Sequence, residues 1–221
     1  MAAPNNYFVD PASGSDSTGT GTVASPWATV QHAVNTITKD TTNCDQINVK
    51  SGSADVLAAT LNVSSYSPSD QNPLFIRGYT SAANDGGQGE ISGNAGQINS
   101  NLFVVFIDMK LSNQGSSNLS GMAAYNCEIC DSNSTTFGNT FKDFFHCYFH
   151  DIAAFAIGGK NFYHCYIEEG DTISFSQTHA MSFSNSNVTV FGNVLVIKST
   201  NVNGLRTNRE SNAFINNTIF S

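Results

Sequence analysis

The chain has 221 residues and a mass of 23.6 kDa, room for one domain with a substantial core or two small ones. Only 12% of residues are charged, with 9 Lys+Arg against 17 Asp+Glu for a net charge of −8. Ser (27), Thr (19) and Asn (26) supply a third of the sequence, and Phe (16) outnumbers Leu (8). The longest apolar run, Leu102–Ile107, is too short for a membrane helix. Helix formers are too few for a bundle, and 40% hydrophobic content argues against disorder. Nine cations on an acidic chain make a poor nucleic-acid binder, because phosphate neutralisation needs clustered Lys and Arg. An all-β protein remains.

The N-terminus, Met1-Ala-Ala-Pro-Asn-Asn, carries neither the basic nor the apolar region of a secretory signal and runs straight into a strand at Tyr7-Phe8-Val9. Ser25 and Pro26 read as the cap and first residue of a short helix. Trp27, Val30, Val34 and Ile37 then share its apolar face. Such an amphipathic segment suits a lid over an open sheet edge. Strands follow at Asp45–Val49 and Pro73–Tyr79. Residues 1–45 are thus expected to form a strand and cap helix, and 46–221 one continuous stack of coils.

A repeat dominates the remainder. Tyr125-Asn-Cys127-Glu-Ile129, Phe145-His-Cys147-Tyr-Phe149, Tyr163-His-Cys165-Tyr-Ile167, Phe191-Gly-Asn193-Val-Leu195 and Ile215-Asn-Asn217-Thr-Ile219 align, with Ile107-Asp-Met109-Lys-Leu111 upstream. Alternating apolar positions predict one inward face including the first, third and fifth residues of each unit. The centres lie 18, 20, 18, 28 and 24 residues apart, the length of one coil of a β-solenoid. Coils of that kind stack at ~4.8 Å. Met109, Cys127, Cys147, Cys165, Asn193 and Asn217 then form an internal file, in which Asn bonds along the axis and Cys fills the same niche. The spacing of Cys127 and Cys130 from Cys147 and Cys165 suits no compact zinc module. A second strand recurs at Phe155–Ile157, Met181–Phe183 and Leu205–Thr207, and stacked Phe columns account for the Phe excess.

The Gly14-Ser-Asp16, Gly19-Thr, Pro26-Trp-Ala-Thr-Val-Gln-x-Ala33 start, followed by Asn72-Pro-Leu-Phe-Ile-Arg-Gly-Tyr79, resembles the N-terminal portion of right-handed parallel β-helix proteins of the pectate-lyase-like superfamily. The resemblance spans essentially the whole chain and implies a single-stranded right-handed solenoid with a short N-terminal capping helix. That superfamily holds polysaccharide lyases, hydrolases, epimerases, phage tailspikes and non-catalytic surface proteins, so it leaves activity open.

Candidate sites follow from the outward columns. His146 and His164 share one, and Tyr148 and Tyr166 the next, which makes an aromatic platform for sugar rings or an outer-face pair without a ligand. Asp131, Asp151 and Glu169 fall four residues past the file, either as a calcium or sugar-hydroxyl site or as solvated turn residues. The long interval between Cys165 and Asn193 places an insertion near Asp171–His179. There Asp171, His179, Arg206, Arg209 and Glu210 are candidates for lyase or hydrolase chemistry, or ordinary charged loop residues. No cofactor is required, calcium being the one that fits. Ala156, Ser182 and Arg206 interrupt any flat threonine array of the ice-binding kind.

The chain reaches Ser221 inside the last motif, so either the sequence has lost its C-terminus or a partner is expected over the final coil: a second and third copy in a homotrimer, or another virion protein. With scarce cations for gripping acidic polymers and reduced thiols, the expected role is a non-catalytic structural or adhesive component. The concrete version is a phage or virus decoration, fibre or spike, made in the cytoplasm and placed on a virion or cell surface without a classical signal peptide, with polysaccharide contact. A polysaccharide lyase or glycoside hydrolase is the alternative.

Overall fold

The computed structural model describes residues 3–93, 103–112, 123–131, 143–151, 156–157, 161–168, 179–183, 189–196, 203–207, 213–215 and 217–220. Of 156–157, 179–183, 189–190, 194–196, 203–207, 213–215 and 219–220 only the backbone is described. Strands joined in parallel sheets make up most of the described structure, with one helix among the described residues.

A nine-stranded sheet runs, in spatial order, Asn5–Val9, Asp45–Lys50, Leu74–Tyr79, Val104–Ile107, Ala123–Tyr125, Asp143–Phe145, Asn161–Tyr163, Thr189–Phe191 and Ala213–Ile215. An eight-stranded sheet runs Ala54–Val56, Gly89–Ser92, Met109–Ser112, Glu128–Ile129, Tyr148–Phe149, Tyr166–Glu168, Val194–Val196 and Thr218–Phe220. From Asp45 onward the chain alternates between the two, each strand pairing in parallel with its counterpart on the next pass. A third sheet, Ala156–Ile157, His179–Phe183 and Asn203–Thr207, joins later passes, with Ala156 opposite Ser182 and Ser182 opposite Arg206. This is the register expected of the second recurring strand.

From Val104–Ile107 onward the joint between the two main sheets is one or two residues long, and its geometry explains the residue types found there. Asp108, Asn126, His146 and His164 have φ of 52°, 52°, 52° and 53°, and Gly192 has 63°. Left-handed backbone is costly for most L-residues but tolerated by Gly, Asn, Asp and His. The histidines at this position therefore satisfy a corner before they satisfy anything else.

The corner also corrects one expectation. Tyr125, Phe145 and Tyr163 do not face inward with the cysteines. The left-handed residue inverts the alternation between strands, so the inward side chains of the nine-stranded sheet are Phe106, Ala124, Phe144 and Phe162. Those of the eight-stranded sheet are Leu111, Ile129, Phe149 and Ile167, and all eight are buried. Phe144 stacks on Phe162 at 4.9 Å and meets Phe149 edge-on at 5.2 Å. Each such side chain gains roughly 1.5–3 kcal/mol by leaving water. Tyr125, Phe145 and Tyr163 instead form an outer ladder with centroids 4.7 Å apart and planes within 10°.

The lid needs a second correction. The helix spans Val30–Thr36, capped by Thr29, not Ser25. Thr29 is extended, and Trp27 donates its N–H to the Phe8 carbonyl and accepts from Asp10 N–H, forming a parallel bridge with Val9. That bridge excludes helical backbone at Trp27. Helix-end donors are satisfied from outside. Asp16 accepts from Ala28 and Thr29 N–H, buried Asp55 from Val30 N–H, and Thr29 Oγ1 from His32 N–H. Trp27, Val30, Val34 and Ile37 are buried, as their spacing predicts, and Ala33 is buried with them.

Candidate functional site

The internal file behind the site is ordered by hydrogen bonds. Asn193 Oδ1 accepts from Cys165 N–H at 2.7 Å, and Asn193 Nδ2 donates to Phe162 carbonyl at 3.1 Å. Asn217 Oδ1 accepts from Asn193 N–H at 3.0 Å. The thiols make the carbonyl contact one level down. Cys165 Sγ donates to Phe144 carbonyl at 3.6 Å and Cys147 Sγ to Ala124 carbonyl at 3.4 Å. From Cys147 to Asn217 each side chain thus bonds to the pass before it, whether it offers sulfur or amide. The Cys165 thiol is pushed well above its ordinary range by its bond to Cys147 and by burial, and Cys147 by burial first. These thiols are structural.

On the outer face of the eight-stranded sheet two columns run side by side. One contains Glu90, Lys110, Glu128, Tyr148 and Tyr166; the other Ser92, Ser112, Cys130, His150 and Glu168. Tyr148 and Tyr166 sit opposite each other in register, 37% and 41% exposed, with centroids 5.3 Å apart and planes at 63°. Tyr148 donates its hydroxyl to Glu168 at 2.8 Å. Burial and that carboxylate push the phenol up to about 12. On its other side Tyr148 stacks on His150 at 4.4 Å.

Below the tyrosines, His150 Nδ1 bonds Asp151 Oδ2 at 2.7 Å and Nε2 bonds Glu128 Oε1 at 3.2 Å. Cys130 Sγ lies 3.8 Å from the same Oε1, and Lys110 Nζ lies 3.5 Å from it. Burial works to raise the Glu128 carboxyl, but His150 and Lys110 outweigh it and hold it below the usual range. Burial and then Asp131 push the Cys130 thiol strongly up.

The expected platform is therefore divided. His146 and His164 do stack, 5.4 Å apart and 11° from parallel, but on the corner, with their facing planes consumed by each other. The two tyrosines occupy the strands that follow. Asp131 and Asp151 take the same turn position on neighbouring passes, both left-handed at 52° and 51°, and Asp151 is committed to His150. Their expected third member, Glu169, lies outside the described residues, as do Asp171, Arg209 and Glu210. His179 and Arg206 lie on neighbouring strands of the third sheet, paired with Asn203 and Ser182 respectively.

Two features escaped the sequence reading. Cys130 does not join Cys127 in the file; it lies with Glu128 and His150. Aligning residues three past each centre (Ser112, Cys130, His150, Glu168) would have found this column. The other is a cavity of about 290 Å³ on the nine-stranded sheet, lined by residues including Cys44, Gln46, Phe75, Arg77 and Asn84. Arg77 is occupied there by Asp108 and Asn84.

No family model, curated protein or solved structure matches the chain.

Proposed function

We propose that this chain is a right-handed parallel β-helix of the pectate-lyase-like kind that serves as a structural or adhesive component of a virion or cell surface and holds polysaccharide on its flank. Alternation between two parallel sheets on successive passes supports the architecture.

The binding reading rests on one observation: Tyr148 and Tyr166 stand exposed side by side, tilted to each other, with Glu168 at the Tyr148 hydroxyl. Phenol faces take the apolar C–H faces of sugar rings, and carboxylates accept from sugar hydroxyls. The outer ladder of Tyr125, Phe145 and Tyr163 fits this role less well. Its rings lie face to face and present edges to solvent.

An oligosaccharide array followed by calorimetry on the retained glycans tests the proposal. Tyr166→Ala should weaken binding about tenfold or more, equivalent to ~1.4 kcal/mol. Tyr125→Ala should leave it within a factor of two. Failure of the wild-type chain to retain any glycan would discard the binding role. Release of reducing ends or unsaturated products from a retained polymer would replace the non-catalytic reading with lyase or hydrolase activity. A monomer by light scattering at micromolar concentration would discard the expected trimer.

A further inference from the structure

Three chemically distinct ligand atoms converge beside the tyrosines without any role in the carbohydrate reading. Cys130 Sγ, a ring nitrogen of His150 and a carboxylate oxygen of Glu128 all lie within 4.8 Å of one another, contributed by two neighbouring passes of the eight-stranded sheet. We propose that Glu128, Cys130 and His150 form a binding site for a borderline-soft divalent cation of the zinc class, with a water as fourth ligand.

The geometry carries this. In a tetrahedral zinc site with bonds of about 2.0–2.3 Å, ligand atoms stand about 3.3–3.7 Å apart. The observed sulfur–oxygen and nitrogen–oxygen separations are 3.8 and 3.2 Å and sulfur lies within 4.8 Å of the imidazole, so shifts of about 1 Å or less complete the site. With Nε2 given to the metal, His150 carries its proton on Nδ1 and donates it to Asp151, 2.7 Å away. Metal-bound histidines are habitually oriented by such an outer carboxylate.

Charge also balances. One thiolate and one carboxylate neutralise a divalent ion, and the Cys130 proton leaves to buffer on binding. Lys110 then faces a neutral cluster and can remain against Glu128. The donor set selects the metal: sulfur with imidazole suits zinc and its neighbours, whereas calcium and magnesium take oxygen ligands. Cys130 is buried, while His150 and Glu128 keep 19% and 24% side-chain exposure, enough for water to reach the fourth position.

Cobalt(II) is the probe, titrated into the full chain with a non-thiol reductant present. The proposal expects one equivalent to bind, with a sulfur-to-cobalt charge-transfer band in the near ultraviolet and strong visible bands of tetrahedral cobalt. Zinc should bleach both. Cys130→Ser should abolish the charge-transfer band. That variant should fold, verifiable by far-ultraviolet circular dichroism, because serine already occupies this column at Ser92 and Ser112. Asp151→Asn should weaken cobalt binding about tenfold with the spectrum unchanged in form. Absence of the band in the wild-type chain, or its persistence in Cys130→Ser, overturns the assignment. Both outcomes are independent of whether any glycan binds.

Discussion

At the scale of single residues, the internal file shows why cysteine and asparagine alternate at one position. At Cys147, Cys165 and Asn193 the side chain donates to one carbonyl of the preceding pass, and Asn193 also accepts a corner N–H; thiol and amide can both serve. Asn193→Ala removes one acceptor from Cys165 N–H and one donor from the Phe162 carbonyl, at an expected cost of about 2–4 kcal/mol. Asn193→Cys restores a sulfur that can make both contacts, so its loss in a urea denaturation series should be less than half as large. Equal losses for the two variants would show that amide geometry, not the shared bracket role, is what the position needs. The file was legible in the sequence because its members recur at the centre of one five-residue apolar pattern, 18 to 28 residues apart. Its hydrogen-bond logic was only half legible: stacked asparagines suggest it, but a column of cysteines reads as plain hydrophobic filling.

At the scale of elements, the left-handed corner sets which faces are wet. A period-two reading carried across the corner places Tyr125, Phe145 and Tyr163 inside, although they lie outside. No apolar/polar pattern reports a φ inversion. The hint was the run of Asp108, Asn126, His146, His164 and Gly192 just before each file residue, since these are the types that left-handed backbone tolerates. Gly192 takes this conformation, and a Cβ there would sit 2.7 Å from His164 Nδ1. Gly192→Ala is therefore expected to lose about 1–2 kcal/mol in urea midpoint analysis. Gly192→Asn should lose less. If the asparagine variant proves the weaker of the two, contact with the His164 ring outweighs backbone preference at this corner. The helix start was misplaced for a related reason. Ser25-Pro26 is a good local initiation signal, but the Val9–Trp27 bridge, a contact between distant residues, overrides it.

At the scale of the molecule, parallel pairing between passes was legible from repeat length alone, whereas the grouping of Glu128, Cys130 and His150 required knowing how adjacent passes register. The chain's acidity also has a thermodynamic reading. Burial works to raise the Asp10 carboxyl, but Lys50 at 2.7 Å, Ser13 and two backbone donors bring it down to about 2. Asp40 is likewise lowered to about 2 by backbone and side-chain donors, and backbone donors hold Asp85 lower still. Unfolded carboxyls of this type titrate near 4, so the unfolded chain binds more protons as pH falls from about 4 toward 2. Stability is full above that window and drops through it. Urea midpoints measured from pH 5 to pH 2.5 should decline, and Asp10→Asn should flatten the decline by about 2 kcal/mol of its total span. An unchanged slope in that variant would remove Asp10 from the account.

The bracket at each corner has a consequence for how such a chain grows. From Cys147 to Asn193 each storey is met from the one above by the same kind of fitting, so one pass ends on the piece with which the next begins. Lengthening this stretch by a whole turn of sequence calls for no novel joint, and sulfur and amide are interchangeable there.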